Sequence, residues 1–305
     1  MTITSTPPEV RPAHRVLRAG LLFLLVLPGL LWAGVRLFGL PGGYLLAFTP
    51  YAAAWAWIPV LAALAARKWL VAAVAVMAAA VLSVGVLPRA LPDAAHGPAG
   101  GTPLTVMTIN LFRGAADPAA VTRLVREHDV AVLAVQELTP AARDALAAAG
   151  LDTLLPHRTL AAEPGATGSG LYSRFPVTAT GAERGPGGNL EAYATVQPPG
   201  AGPVGVESAH WGRRADPAGE PGGVPRILLG DFNATLDHAP LRDLVAGGYR
   251  DAADAVGDGL EPTLGPVTLD HVLVDRRIGV TDVDVRPVPR SDHRSIIAVL
   301  ALPAT

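Results

Sequence analysis

Three long apolar stretches without a charged residue occupy most of the first 88 residues of this 305-residue chain. They run over about 19–35, 44–66 and 69–87. About 20 apolar residues cross a bilayer core, with a lower limit near 17, so each stretch is long enough to span a membrane as a helix. A cleavable signal peptide would explain the first stretch but not the second and third. Residues 1–88 are therefore predicted to form a membrane anchor of three transmembrane helices.

Basic residues in the short loops predict the orientation of this anchor. Five of them precede the first helix or separate the second helix from the third, namely Arg11, Arg15, Arg18, Arg67 and Lys68. The opposite side carries two, Arg36 and Arg89. Because short cytoplasmic loops are enriched in Arg and Lys, the richer side is expected in the cytoplasm. The chain is then a multi-pass protein of the cell membrane, and everything after residue 88 lies outside the cytoplasm.

Two further segments follow the anchor. Residues 89–103 are rich in Pro, Gly and Ala and lack apolar periodicity, which predicts a linker. Residues 104–305 have the size and composition of a domain, with 17 Arg, no Lys and 24 acidic residues, a net charge of −7. This acidic balance disfavours non-specific binding to duplex DNA, which depends on neutralising phosphates. Without Lys the domain cannot contain a P-loop, and without Cys it cannot contain a thiolate zinc site.

Strand-like and helix-like patterns alternate through this domain, which predicts an α/β (α+β) sandwich. Apolar runs predict strands at 104–111, 130–135, 192–196, 204–209, 227–229, 269–274, 280–285 and 295–300. Capping residues and apolar faces predict helices at 117–127, 139–149 and 240–246. The segments 168–172 and 176–180 are predicted to be strands that pair with each other.

Polar side chains follow several of these strands. In the stretch 230–234, Asp231 and Asn233 come directly after a buried apolar run, where open α/β sheets keep their ligands. Other strand ends and loops carry Asn110, Glu137, His210, Asp270-His271 and Ser291-Asp292-His293. Each residue alone is compatible with a turn or a helix cap. Together they suit Mg²⁺-dependent hydrolysis of a phosphate ester, since carboxylates hold the cation and orient water while amides and imidazoles take up phosphoryl charge.

Five separated motifs occur along residues 104–302, namely Thr108-Ile109-Asn110-Leu111, Gln136-Glu137, Ser173-Arg174-Phe175-Pro176, Gly230-Asp231-Phe232-Asn233-Ala234 and Ser291-Asp292-His293-Arg294. In these motifs and in their order the chain resembles the endonuclease/exonuclease/phosphatase superfamily, which shares its fold with pancreatic deoxyribonuclease. The sequence Leu269-Asp270-His271-Val272 is similar to its penultimate strand. The resemblance implies a four-layer αββα sandwich of two central sheets, here preceded by the three transmembrane helices.

The resemblance also implies a metal site. Glu137 is expected to be the principal ligand of Mg²⁺, with Mn²⁺ as the alternative ion. Asn110 is expected to help hold the metal-bound phosphate. Asp292 is expected to orient His293 and to contact the metal.

The remaining residues are expected to act on the phosphate itself. By the same resemblance, Asp231 aligns or deprotonates the attacking water and Asn233 binds a phosphoryl oxygen. His293 is expected to stabilise the pentacovalent transition state. His210 is expected near the scissile phosphate, and Asp270 is expected to be a supporting carboxylate.

One connection departs from the superfamily pattern. The strand that ends at His210 is followed by 211–225, which is rich in Gly and Pro and has no helical apolar stripe. A parallel crossover needs about a dozen residues or more. The segment is therefore expected to close the gap as irregular chain, to leave one flank of a sheet thinly covered, and to weaken the placement of His210.

The sequence thus predicts a membrane-anchored, Mg²⁺-dependent hydrolase of phosphate esters, in the first place a phosphodiesterase. A lipid headgroup suits the membrane tether as the substrate. The alternative is an extracytoplasmic nuclease that acts on DNA or RNA. A third reading is a catalytically weak, membrane-tethered binding module. No protein partner follows from the sequence.

Overall fold

The computed structural model describes residues 12–93, 101–210 and 223–303, and side chains from residue 20 onward. The chain divides into two compact units, Met1–Val86 and Leu87–Thr305. The first unit contains a 3-10 helix, Gly43–Phe48, and the helices α1 (Pro12–Leu37), α2 (Thr49–Trp55), α3 (Trp57–Ala65) and α4 (Trp69–Val86). The second unit contains a 3-10 turn, Leu87–Ala90, and all of the strands that the structure describes.

The first unit holds three candidate membrane spans, Gly20–Leu37, Gly43–Ala65 and Trp69–Ala90, which are long and apolar enough to cross a bilayer by length and composition. The second span is broken into three short helices. Pro50 lies in the first turn of α2 and Pro59 in the first turn of α3. Proline fits a first turn but lacks the N–H that a continuing helix needs, so each break precedes a proline.

The second unit contains two mixed six-stranded sheets. The strands are β1 (Thr102–Asn110), β2 (Val132–Gln136), β3 (His157–Ala161), β4 (Ser169–Ser173), β5 (Val177–Arg184), β6 (Leu190–Val196), β7 (Val204–His210), β8 (Arg226–Asp231), β9 (Tyr249–Asp251), β10 (Asp270–Asp275), β11 (Gly279–Pro287) and β12 (Arg294–Leu302). Their order is β11-β12-β1-β2-β4-β3 in one sheet and β5-β6-β7-β8-β10-β9 in the other.

Five helices pack against the two sheets. They are α5 (Pro118–Glu127), α6 (Pro140–Ala148), α7 (Leu151–Leu154), α8 (Ala239–Ala246) and α9 (Ala252–Val256). The buried alanines of α9 belong to the core between the sheets. Because side chains alternate along a strand, β8 sends Ile227 and Leu229 into the core between the sheets and Leu228 outward against Leu241 and Leu244 of α8. The outer face of the other sheet packs against α5 and α6. The αββα sandwich expected from the resemblance is therefore confirmed.

Two predicted helix starts are confirmed in atomic detail. Asp117 precedes α5, and its carboxylate accepts a hydrogen bond from the amide of Ala119 at 3.1 Å. Thr139 precedes α6, and its hydroxyl accepts a hydrogen bond from the amide of Ala142 at 3.1 Å. Each cap satisfies a backbone N–H that the first helical turn leaves unpaired.

The predicted pairing of 168–172 with 176–180 is wrong. Strand β4 pairs with β2 and β3 in the first sheet, whereas β5 pairs with β6 in the second sheet. Between them the Ser173 hydroxyl donates to the carbonyl of Phe175 at 2.9 Å and accepts from its amide at 3.1 Å. The turn that looked like a hairpin therefore carries the chain from one sheet to the other. Strands β3 and β9 and helices α7 and α9 were not predicted.

Both predicted connections are partly described. The predicted linker 89–103 includes Ala90 at the end of the 3-10 turn and Thr102 at the start of β1, while 94–100 lie outside the described residues. Of the connection 211–225, residues 211–222 lie outside the described part. The strands on either side of it, β7 and β8, pair in parallel as neighbours.

Candidate active site

The polar residues singled out in the sequence converge at one edge of the sandwich. Two parallel pairs, β1 with β2 and β7 with β8, bring the carboxyl ends of four strands to this edge. Strands β10 and β12 run antiparallel to their neighbours, so they begin where those strands end. The residues at these ends are Asn110, Glu137, His210, Asp231, Asp270 and His293.

Asp231 lies at the centre of the group and is buried. Its Oδ1 accepts a hydrogen bond from the amide of Asn233 at 2.8 Å, and its Oδ2 accepts one from Nδ2 of Asn110 at 3.0 Å. Asp270 stands directly opposite it in the β8–β10 register. Burial and the Asp270 charge raise the pKa of Asp231 to about 7, against the opposing effect of His293 and the two hydrogen bonds.

His293 is held by Asp270 through a hydrogen bond of 2.9 Å between Nδ1 and Oδ2. Its Nε2 faces Oδ2 of Asp231 at 3.7 Å. Burial lowers the pKa of His293, but the hydrogen bond and charge of Asp270, with smaller effects of Asp231 and Asp292, raise it overall to about 9. His293 is therefore an imidazolium at neutral pH.

The carboxylate against Nδ1 of His293 differs from the one that the resemblance implied. Asp292 lies 4.0 Å from Nε2, and its side chain is 44% exposed. Asp270 takes the orienting position because it opens a strand in the buried centre of the second sheet, whereas Asp292 lies in the turn before β12.

Glu137 lies at the rim of the site, with its side chain partly exposed. Its Oε1 accepts a hydrogen bond from Nδ2 of Asn110 at 3.2 Å, and its Oε2 accepts one from the amide of Arg113 at 2.6 Å. Oδ1 of Asn110 accepts from the amide of Phe112, so the Asn110 amide nitrogen points at two carboxylates. Glu137 and Asn233 both adopt left-handed backbone conformations, with φ of 56° and 47°. Such backbone strain clusters at functional sites.

His210 stands beside Asp231 in the parallel β7–β8 register, with Nε2 at 4.0 Å from Oδ2 of Asp231. Burial lowers the pKa of His210, against the opposing charge of Glu137. Its Nδ1 is buried and has no hydrogen-bond partner among the described residues. The structure therefore places His210 in the site, as a neutral imidazole at pH 7.

The donor set fits a divalent cation. Asp231, Asp270 and His293 each place one potential ligand atom within 4.8 Å of the other two. At neutral pH the two carboxylates are the available ligands, because the protonated His293 has no free ring nitrogen. Oδ1 of Asp270 is buried without a hydrogen-bond partner among the described residues. An unpartnered buried carboxylate oxygen is costly unless a cation or donor satisfies it. Carboxylate oxygens are the ligands that Mg²⁺ and Mn²⁺ prefer.

Several supporting residues were not assigned a role from the sequence. Gln136 is fully buried, and its Nε2 donates to Ser208 Oγ at 3.0 Å, which links the two sheets beneath the site. The Ser291 hydroxyl donates to the carbonyl of Asn110 at 2.8 Å and accepts from the amide of His293 at 3.1 Å. Gln136 and Ser291 lie inside motifs of the resemblance, so the sequence contained a signal for their importance. Ser208 lies in no such motif.

One member of the predicted clusters lies elsewhere. His271 follows Asp270 on β10 but points to the opposite face of the sheet. Its Nδ1 bonds to Oδ2 of Asp251 at 2.6 Å, and its Nε2 bonds to the carbonyl of Ala234 at 2.9 Å. His271 is therefore part of a separate buried network.

The family described as the Endonuclease/Exonuclease/phosphatase family matches residues 107–293. The match spans more than half of the chain, so the chain belongs to this family, whose members are metal-dependent hydrolases of phosphate esters. No curated protein sequence matches the chain.

Solved structures share the fold at low sequence identity. Humanized D. rerio TDP2 is 14% identical with a TM-score of 0.53, over 65% of this chain and 98% of that chain. D. rerio TDP2 complexed with a single-strand DNA product has the same identity and TM-score, over 65% and 99%. A functionally unknown conserved protein from Enterococcus faecalis V583 is 16% identical with a TM-score of 0.51, over 66% and 100%. At these sequence identities the similarity shows a shared fold alone.

Proposed function

We propose that this protein is a membrane-anchored, Mg²⁺-dependent phosphodiesterase, with Mn²⁺ as the alternative ion. The observation that carries the proposal is the arrangement of Asp270, His293 and Asp231. A buried carboxylate fixes one nitrogen of an imidazolium, and the other nitrogen faces a second carboxylate at 3.7 Å. This geometry puts a cationic donor beside a proton acceptor, which is what attack of water on a phosphate ester requires.

Asp231 is the proposed acceptor of the proton from the attacking water. A general base is most effective when its pKa is close to the working pH, and the pKa of Asp231 is raised to about 7. Its two hydrogen bonds, from the amide of Asn233 and from Asn110, hold the carboxylate in one orientation. We assign the Asn233 side chain to a phosphoryl oxygen.

His293 is the proposed donor to the phosphoryl oxygens in the transition state. Asp270 fixes the orientation of its ring and stabilises its positive charge, as a carboxylate does for a catalytic histidine in general. His210, a buried neutral imidazole, is assigned a hydrogen bond to the same phosphate from the other side of Asp231.

Glu137 is the proposed principal metal ligand, at the side of the site where Asn110 links it to Asp231. Asn110 holds the carboxylates of Glu137 and Asp231 together, and Asp292 lies at the exposed border of the site. When bound, a divalent cation would supply Lewis-acid polarisation of the phosphate and neutralise part of its charge.

The membrane location is supported by the surface of the first unit. Large apolar side chains are exposed all along it, among them Leu21, Leu24, Leu31, Tyr44 and Leu70. A soluble protein rarely exposes so extended an apolar surface, whereas lipid tails would cover it. We therefore propose a three-helix membrane anchor over 1–88, a tether over 89–103 and a catalytic domain over 104–305 that lies outside the cytoplasm.

We favour a lipid phosphodiester as the substrate, because a membrane anchor keeps the site close to lipid headgroups. The second candidate is a nucleic acid. The fold likeness to a TDP2 structure with a single-strand DNA product supports it, and the net charge of −7 in residues 104–305 opposes it.

The test is a substrate panel with the full-length protein in detergent. Sphingomyelin-type lipids, phosphoinositides, plasmid DNA and RNA are compared in Mg²⁺, in EDTA, and after EDTA with Mg²⁺ or Mn²⁺ restored. We expect lipid hydrolysis that EDTA abolishes and either ion restores. Cleavage of DNA or RNA alone would favour the nuclease, and no hydrolysis with retained lipid binding would favour a binding module. Activity that survives Asp231→Asn and His293→Ala would overturn the site.

A separate experiment tests the orientation. Protease is added to spheroplasts that carry the full-length protein with an epitope after residue 305. Loss of the epitope signal is expected for an extracytoplasmic domain. Full protection, with digestion after the membrane is opened, would reverse the orientation.

A further inference from the structure

Arg89 lies three residues after the end of α4, in the segment that the sequence analysis assigned to a linker. It belongs to the second compact unit. Its guanidinium donates to both carboxylate oxygens of Asp237, at 2.9 Å from Nη1 to Oδ2 and at 2.8 Å from Nη2 to Oδ1. Arg89 is 6% exposed and Asp237 is 0% exposed. The carbonyl of Arg89 also accepts a hydrogen bond from the amide of Gly259 at 3.0 Å, so the residue is fixed at both its backbone and its side chain.

Asp237 belongs to the loop that follows the catalytic strand. This loop begins with Asp231 and Asn233 and ends at His238, the residue before α8. Its turns are closed by hydrogen bonds from the amide of Thr235 to Nδ1 of His238, at 2.9 Å, and from the amide of Asp237 to the Thr235 hydroxyl, at 3.2 Å. Only three residues, 234–236, separate Asn233 from Asp237, the residue that Arg89 contacts, and this chain is held by the two hydrogen bonds.

The geometry of the Arg89–Asp237 pair indicates that it orients the loop more than it stabilises the fold. A buried ion pair gains little over apolar residues of similar volume, because desolvation of both charges offsets their attraction. A bidentate guanidinium–carboxylate pair does fix direction, since two parallel hydrogen bonds allow one relative orientation. Asn233 has a φ of 47°, a left-handed conformation that asparagine adopts more readily than most residues, so the course of the loop around it has to be fixed by contacts further along.

We propose that Arg89 is a positioning residue for phosphoester hydrolysis: its bidentate pair with Asp237 fixes the loop 232–238 and thereby holds Asn233 in its catalytic conformation. The inference rests on the proposed function, since it assumes that Asn233 contacts the substrate phosphate. It also means that the functional catalytic domain begins at Leu87, before its first strand.

The test uses the full-length protein in detergent with Mg²⁺ and bis(p-nitrophenyl) phosphate. Arg89→Met is expected to lower kcat by about 10- to 100-fold with little change in KM, because misplacement of about 1 Å costs rates of this order. It also removes the bidentate partner of the buried Asp237 carboxylate, so the melting temperature of the variant should fall. Arg89→Lys keeps the positive charge but loses the bidentate geometry of the guanidinium, so it should recover part of kcat. Arg286→Met, at the exposed Arg286–Asp284 pair on β11, is the matched control.

The double variant Arg89→Met/Asp237→Leu separates positioning from stability. Replacement of both charges by apolar residues should restore the melting temperature to near that of the wild type. If Arg89 positions the loop, kcat stays low in this variant. If kcat recovers together with the melting temperature, the role is structural and the inference is overturned. A wild-type protein without activity in any condition would instead overturn the proposed function itself.

Discussion

The second unit contains two buried Asp–His pairs that look alike and differ in one nitrogen. In the candidate site, Nδ1 of His293 bonds to Asp270 at 2.9 Å, and in the network beside it, Nδ1 of His271 bonds to Asp251 at 2.6 Å. Nε2 of His271 is taken by the carbonyl of Ala234 at 2.9 Å, whereas Nε2 of His293 faces the Asp231 carboxylate at 3.7 Å. Both ring nitrogens of His271 are hydrogen-bonded within the fold, whereas Nε2 of His293 faces the candidate site.

The difference teaches that an Asp–His pair is not by itself a sign of catalysis. Both histidines are buried, and the neighbouring carboxylate raises the pKa of each against the opposing effect of burial. What distinguishes the candidate catalytic pair is the excess of carboxylates around it. Asp231 stands directly opposite Asp270, and like charges in that position disfavour the folded protein unless a cation compensates them.

The largest expected contrast is between two alanine variants. His293→Ala should lower kcat by about 10²–10³, the usual cost of one charge-stabilising donor. Because it also leaves the Asp270 carboxylate buried without its imidazole partner, the melting temperature should fall as well. His271→Ala should leave most of kcat but lower the free energy of unfolding by about 3–5 kcal/mol, because it leaves Asp251 buried and unpaired. Steady-state kinetics and thermal unfolding of the two variants check this. If both variants lost the same factor in kcat at the same melting temperature, the two histidines would not differ in function.

A second expected contrast concerns the two aspartates. Asp270→Asn should lower kcat by about 10²-fold, because His293 loses the carboxylate that fixes its ring orientation and stabilises its charge. This change breaks the pair with His293 but also removes repulsion with Asp231, so the melting temperature of the EDTA-treated protein should fall only slightly. Asp251→Asn breaks the shorter pair with His271, at 2.6 Å, and should lower the melting temperature more. If the variant with the larger loss of kcat also had the larger fall in melting temperature, the two pairs would not have separate functions.

The smallest expected effect is pH-dependent and lies beside the His271 network. Burial and the charge of Asp251 raise the pKa of Asp254 from 3.8 to about 6. The folded protein then binds more protons than the unfolded chain between about pH 4 and 6, so the stability contributed by protonated Asp254 is lost as pH rises through that window. Asp254→Asn should therefore raise the melting temperature at pH 7 and leave it unchanged at pH 4. An equal shift at both pH values would show that the charge is not the cause.

The sequence alone predicted those elements of the fold whose signals lie within a few neighbouring residues. Apolar runs and capping residues such as Asp117 and Thr139 predicted most strands and helices, because they act within a few residues. Motif order predicted the site, because parallel strands bring their carboxyl ends together. Asn110, Glu137, His210, Asp231 and His293 then meet through strand register.

What the sequence did not predict depends on partners far along the chain. The segment 173–176 has the composition of a hairpin turn, and nothing local distinguishes it from a crossing between sheets. Arg89 lies in a stretch with linker composition, and its partner Asp237 is 148 residues away. The choice of Asp270 over Asp292 as the partner of His293 follows from burial at a sheet centre, which a lone motif does not encode.

The register of β10 against β8 has a consequence for how this protein could be inactivated. Asp270 and His271 are neighbours on one strand, so Asp270 faces the candidate site and His271 faces α8. A slip of a single residue would exchange the two faces and present an imidazole where the orienting carboxylate belongs. Such a molecule would keep both sheets and most of its buried surface and still be catalytically silent. For this enzyme, correct strand alignment during folding is therefore a condition for activity that measurements of secondary structure alone would not reveal.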